Sequence, residues 1–319
     1  MPLPKLTDIH VNAALTDLSV AYRQDNPPIS DVMFPRVTVT KQSDKYFVWD
    51  KGDLWRRNAR KRAPGTDFPE LALRLSTDSY SAEQYATSYP IPDEHRRNQD
   101  PAVDLERTGT EHIMDTLALE KDLTFATDFM KTGVWGTDTT VAVKWDDATS
   151  NPAGDVLTAR RALRRAIGGA QAGRMKIIGL MGTIVEQRLS DHPDAIDRIK
   201  YTQAATVDAV RQILAAWLGI DMLVVGDREY TTSNEAQTDT FAPVFDDDFL
   251  LLAVPAAPGK NIPAAGYTFV WDELDGGSDV YIETIRDELK RRDIVRGLCD
   301  YDQKVVASAL GVFFSDCCD

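Results

Sequence analysis

The chain has 319 residues but only three cysteines and four histidines, and it is short of positive charge. Thirty-six lysines and arginines face 50 aspartates and glutamates, a net charge of −14. Three thiols, Cys299, Cys317 and Cys318, cannot build a disulfide framework, so a reducing compartment is expected. The carboxylate surplus argues against a general nucleic-acid binder, which carries a basic footprint. No two of His10, His95, His112 and His192 stand at metal-ligand spacing. No apolar run approaches the roughly 18 residues of a membrane span, residues 249–258 being among the longest. The amino terminus shows no basic region followed by an apolar core, so no secretory signal is visible. Also missing are a Walker-type phosphate loop, a GxSxG elbow, an HExxH pair and a CxxC pair. The expectation is a protein that is not an enzyme, with no catalytic, cofactor-binding or metal-binding residues.

What is present is the composition of a folded chain, 43% hydrophobic and 27% charged, long enough for two domains. Asp246-Asp247-Asp248 lacks the alternating ligands and glycine of a calcium loop and reads as a solvated turn before a strand. His192-Pro193-Asp194 reads as a turn. Arg160-Arg161 and Arg164-Arg165 spread around the outer face of a helix. Cys317-Cys318, beside Asp316 and Asp319, could bind a metal or form a vicinal disulfide. Free thiols at a frayed terminus are the preferred reading.

Residues 1–28 are polar and proline-bearing and close on Asn26-Pro27-Pro28, an extended arm. Alternation at Val37 and Val39, then Tyr46-Phe47-Val48-Trp49, predicts extended chain. A second alternating stretch holds Leu71, Leu73 and Leu75, followed by Tyr80, Tyr85 and Tyr89. Between them residues 52–69 are polar, basic and patternless, long for a loop inside a compact domain. A two-stranded ribbon projecting from the body fits this best. An isolated hairpin is marginal in water, so a neighbouring subunit is the expected support.

Asp100-Pro101 supplies a helix start, and apolar residues from Leu105 to Met130 recur at three- and four-residue spacing to about Lys131. The stripe is broken at Gly109 and Thr116, which favours a long helix on a sheet over a coiled coil. Beyond it, Asp155 is expected to cap a helix over 156–167, and Thr206 another closed by Gly219. Strands are expected at 176–180, 222–225, 249–254, 267–271, 280–286 and 305–314. Helices and strands so intermixed indicate an α+β chain in two intertwined parts.

This order of parts resembles the major capsid proteins of tailed bacteriophages. The resemblance is carried by Ile29-Ser-Asp-Val-Met-Phe-Pro, Tyr46-Phe-Val-Trp-Asp-Lys-Gly-Asp53, Asp194-Ala-Ile-Asp-Arg-Ile-Lys-Tyr-Thr202, Ala265-Ala-Gly-Tyr-Thr-Phe-Val-Trp271 and Gly297-Leu-Cys-Asp-Tyr-Asp-Gln-Lys-Val-Val306. It implies an HK-ninety-seven-type shell fold. The implied parts are an N-terminal arm (1–44), an extended E-loop ribbon (45–92) and a peripheral domain with a spine helix (93–149). An axial domain (150–278) and closing peripheral strands (279–319) complete it. It also implies self-assembly into hexamers and pentamers around double-stranded DNA held without sequence-specific contacts, with scaffold, portal and decoration proteins as partners and no membrane. The location implied is a virion capsid assembled in bacterial cytoplasm. With the arm beginning at once, any scaffold is expected to be a separate or removed segment. Lys51 and Lys61 could be imagined in a cross-link, but nothing in the sequence marks them. An acidic subunit suits an inner wall that must hold DNA without sticking to it, and weak contacts multiply over many copies. An encapsulin-type shell is the alternative, with a soluble acidic enzyme a third reading. Co-purified DNA, a portal or a tail would separate the two shells, and electron microscopy would separate both from an enzyme. At the ribbon tip Arg56, Arg57, Arg60, Lys61 and Arg62 are expected to dock on the acidic surface of an adjacent subunit.

Overall fold

The computed structural model describes residues 28–49, 51–57, 59, 61–65, 67–68, 70, 74–98, 104–168, 173–199, 206–234, 237–258, 262–271 and 280–319. The expected arm ahead of Pro28, the Asp100-Pro101 helix start and Arg60 lie outside these residues. The elements, in chain order, are α1 (Ile29–Met33), β1 (Arg36–Val39), β2 (Ser43–Trp49), α2 (Lys51–Leu54), β3 (Leu75–Ser81), β4 (Glu83–Pro92), α3 (Asp93–Asn98) and α4 (Leu105–Phe129). Then come β5 (Thr137–Thr140), α5 (Pro152–Ile167), β6 (Met175–Gly182), α6 (Thr183–Asp191), α7 (Pro193–Ile199), α8 (Val207–Leu218), β7 (Met222–Gly226), β8 (Glu229–Thr231) and β9 (Phe241–Pro243). The chain closes with β10 (Phe249–Pro255), β11 (Gly266–Trp271), β12 (Tyr281–Asp287), β13 (Arg292–Val305), a 3-10 turn (Ser308–Leu310) and β14 (Gly311–Ser315).

Two five-stranded sheets carry the α+β fold. In the first, β13 has β4 along one side and β12 then β11 along the other, and β1 adds in parallel beyond β11. The second runs β5-β14-β10-β6-β7. Every residue of β10 is buried, as expected of a strand covered on both faces. Its two-residue period sends Phe249 and Leu251 into a core with Trp145, Val156 and Leu214. Leu250, Leu252 and Val254 enter another core with Phe34, Phe125 and Phe313. Each such side chain contributes on the order of 1.5–3 kcal/mol by leaving water.

The long helix α4 spans 25 residues, about 38 Å at 1.5 Å per residue. Its cap is Asp104, which accepts N–H bonds from Glu106 and Arg107 at 3.1 and 3.2 Å. The break at Gly109 turns out to be the contact itself. A Cβ there would stand 2.5 Å from the Tyr89 ring on β4, and one at Gly297 would stand 2.2 Å from Ile113. Glycine on helix and strand lets α4 lie close against the sheet. Its last turns pass into the core shared with the second sheet, where Phe34 meets Phe125 and Phe129 at ring separations of 5.0 and 4.9 Å.

Several expected boundaries shift. Helix α5 is capped by Asn151, which accepts from Gly154 N–H at 3.0 Å, with Pro152 in the first turn; Asp155 lies one turn inside. The expected strand 305–314 holds only the last residue of β13, then the 3-10 turn and most of β14. The long β13 was hidden by Arg292, Asp293, Arg296, Asp302 and Lys304, charged residues that a central strand here carries on exposed or half-buried positions, Asp293 and Arg292 in ion pairs, and by Asp300, which is buried. β5 and β14, expected with the long helix, pair with each other in the second sheet, whereas β11 joins the first. β4 leaves the ribbon to pair along ten residues of β13.

Candidate assembly surface

The ribbon is β2 against β3, in register from Ser43 opposite Ser81 to Trp49 opposite Leu75. One face rests on its own subunit. Tyr80 stacks on Phe269 of β11 at 4.7 Å and Tyr46 packs on it at 5.6 Å, while Asp302 on β13 accepts the Ser81 N–H at 2.9 Å. The other face is open, with Phe47 68% and Leu75 47% exposed. The sequence pointed to a neighbouring subunit as the ribbon's support; its base is in fact fastened to the first sheet of its own subunit.

Its distal loop is closed at one point. Asp53, buried, accepts from Arg74 through the backbone N–H at 3.2 Å, Nε at 2.8 Å and Nη2 at 3.1 Å. That guanidinium holds the Asp53 carboxyl down at about 2. Beyond this clasp Arg56, Arg57, Lys61 and Arg62 are exposed. Arg56 reaches Asp53 at 3.4 Å, and Arg62 lies over the Phe68 ring at 4.2 Å. Four of the five predicted tip residues are thus exposed; Arg60 is outside the described residues.

A second feature went unread in the sequence. Asp122, on the buried side of α4, accepts the N–H groups of Ser30 at 2.9 Å and Ile29 at 3.3 Å, with Arg228 Nε at 3.3 Å. It thereby caps α1 from outside. Burial pushes its carboxyl upward against the pull of those partners. Beside it Lys121 pairs with Asp31 at 2.5 Å. The available signal was Lys121-Asp122 falling where the apolar stripe predicted buried positions between Leu117 and Phe125.

The carboxy-terminal corner overturns the frayed-terminus reading. Cys317 and Cys318 are free and buried in the core with Trp145 and Phe249. Cys317 N–H donates to Asp247 O at 3.0 Å, and its O accepts from Trp145 N–H at 2.7 Å. Burial drives both thiols upward, Cys318 to about 12. Asp248 is not a solvated turn residue either. It accepts the Asp316 N–H at 3.0 Å, and burial raises its carboxyl to about 6, aided by Asp247, Asp246 and Asp316. His192 is a buried core residue, its ring 5.5 Å from Trp217 and its Nε2 3.3 Å from Ser150 Oγ. Among the described residues no group of histidine, cysteine and acidic side chains could hold a metal ion. No helix among them is long and apolar enough to cross a membrane.

The two interleaved sheets, the long helix and the ribbon make a fold shared with phage capsid structures. No protein-family model matches the chain, and no curated protein sequence does. The similarity is structural. A phage-related protein from Bordetella bronchiseptica superposes with a TM-score of 0.72 at 22% identity, over 97% of this chain and 98% of that one. The capsid of cyanophage P-SCSP1u gives 0.57 at 11% identity over 88% and 86%. The SrpI encapsulin of Synechococcus elongatus gives 0.52 at 11% over 99% and 91%.

Proposed function

We propose that this chain is the major capsid protein of a tailed bacteriophage, closing into a shell of hexamers and pentamers around double-stranded DNA. The observation that carries this reading is the end-to-end likeness to a phage-related protein, with little of either chain left over. Supporting it is a fastened ribbon whose outer face leaves Phe47 and Leu75 in water, apolar surface that a neighbouring copy would cover. The ribbon tip, Arg56, Arg57, Arg60, Lys61 and Arg62, docks on the acidic surface of that copy. Scaffold and portal proteins, with decoration proteins on the outer face, are the further partners, and assembly takes place in the bacterial cytoplasm. No catalytic step is assigned to the chain.

A cargo-holding encapsulin shell is the second reading, favoured by the likeness to the SrpI encapsulin over 99% of the chain. Electron microscopy of the purified chain, alone and with a scaffold partner, tests the shell: closed particles are expected. A monomer under every assembly condition would refute both readings. Particles that co-purify with DNA, a portal or a tail support the phage head, and particles that hold a protein cargo support the encapsulin.

A further inference from the structure

We infer that Lys51 and Trp55 are positioning residues, seated on the C-terminal end of α5, that set the direction in which the basic tip leaves the fold. The contact joins segments 115 residues apart in sequence. Lys51 Nζ donates to Ala166 O at 2.7 Å, one of the carbonyls a helix leaves without a partner at its negative end. The same ammonium lies 4.3 Å from the centre of the Trp55 ring. That ring covers Gly168, where a Cβ would stand 2.2 Å from it, and where φ of +82° already favours glycine. The seat is therefore shaped to a flat ring and closed to any other residue at 168.

Between the two lies Asp53, which ties Arg74 to the same point. Both ends of the loop thus depend on one joint, and the tip residues follow directly after it. Trp55 remains 55% exposed and Lys51 is exposed, so the joint is modest and reversible rather than part of the core. Sequence reading placed Lys51 only as a conceivable cross-linking lysine; here its ammonium is engaged within its own subunit. The inference rests on the shell reading only for what the tip is aimed at.

Hydrogen exchange on the dissociated full-length chain tests it without requiring shells. Gly168→Ala is expected to speed exchange of the amides at 51–57 about tenfold, the effect of about 1.4 kcal/mol. Lys51→Met is expected to speed it about threefold, and Lys51→Arg to restore the parent rate. Exchange within 156–163 should stay unchanged. A nitroxide pair at Ala59→Cys and Thr116→Cys, both exposed positions, should show a broader distance distribution in the two loosening variants. Unchanged exchange at 51–57 and an unchanged distribution would overturn the inference; if Gly168→Ala does not fold, Lys51→Met decides alone. Failure of the parent chain to form particles would instead count against the shell reading and leave the exchange result standing.

Discussion

Replacing Asp122 by alanine should be among the most damaging single changes in this fold. The carboxylate is fully buried and does three things at once. It takes the first-turn N–H groups of Ile29 and Ser30 at 3.3 and 2.9 Å and neutralises Arg228, itself mostly buried, at 3.3 Å. Removing one partner of a buried charge pair costs about 3–5 kcal/mol, because the other charge stays behind unpaired. Each orphaned N–H adds up to about 1–3 kcal/mol, though not additively. We expect a net loss of about 3–4 kcal/mol, two to three orders of magnitude in the folding equilibrium. Asp122→Asn keeps an acceptor oxygen and the shape of the side chain, so about half that loss is expected. Urea unfolding of the dissociated subunit, followed by tryptophan fluorescence, measures it, since Trp135 lies 6.3 Å from Phe34 just beyond α1. Hydrogen exchange at 29–34 should rise in parallel, α1 being only five residues long and unable to persist alone. An alanine variant within about 0.5 kcal/mol of the parent, the spread of ordinary surface changes, with α1 exchange unchanged, would refute the pinning of α1.

Cys317→Ser should cost about 1–2 kcal/mol in urea unfolding, since it places a hydroxyl in a fully buried apolar site, and both native thiols should alkylate slowly. Asp248, raised to about 6 against 3.8 unfolded, holds its proton more tightly when folded; its ionised form weakens the fold at neutral pH, and the weakening is relieved as pH falls from 6 towards 4. Subunit melting temperature should thus gain from acidification between pH 7 and 5, a gain that Asp248→Asn removes, whereas Asp53, held at about 2, contributes above 3.8 and is lost only as pH drops towards 2. Gly109→Leu should lose about 1–2 kcal/mol by thermal melting, overpacking against Tyr89 at about 1–3 kcal/mol being offset in part by the better helix propensity.

Elements whose residues follow one period were readable from sequence. The stripe from Leu105 to Met130 marked α4, Thr206 and Gly219 bracketed α8, and the apolar run at Phe249 marked β10. What stayed hidden depends on partners distant in the chain. β13 looks like a charged loop until β4 and β12 occupy its two sides. The split of the chain's end between the sheets is set by pairing of β14 with β10 and β5, which no local pattern states. The exposure of Arg56, Arg57, Lys61 and Arg62 was legible because like charges cluster along the sequence. The joint at Lys51 and the pin at Asp122 were not, because each unites residues 90 or more positions apart.

A basic tip on an acidic body restricts how copies of the chain can meet. Between Lys51 and Arg74 stand seven basic and three acidic residues, a segment of +4 in a chain of −14. A twofold contact joining tip to tip would set like charges together, so attraction requires tip on body. Such a contact uses unlike patches, and a pair formed this way still has one tip and one acidic face unused. Repetition then gives a closed ring where the rotation closes and an open filament where it does not. Each exposed pair is worth only about 0–1 kcal/mol, so the tip acts as a sum, and salt weakens it over about 8–10 Å. Replacing Arg56, Arg57, Arg60, Lys61 and Arg62 together by glutamine should therefore weaken any ring in favour of monomers at low salt, with no intermediate twofold dimer by native mass spectrometry. Particles of the variant should melt below the parent at low salt and approach it as salt rises, while subunit unfolding stays the same. A parent dimer held by the tips and lost on their neutralisation, or variant particles that melt like the parent at both salts, would show that the tip does not dock on an acidic neighbour.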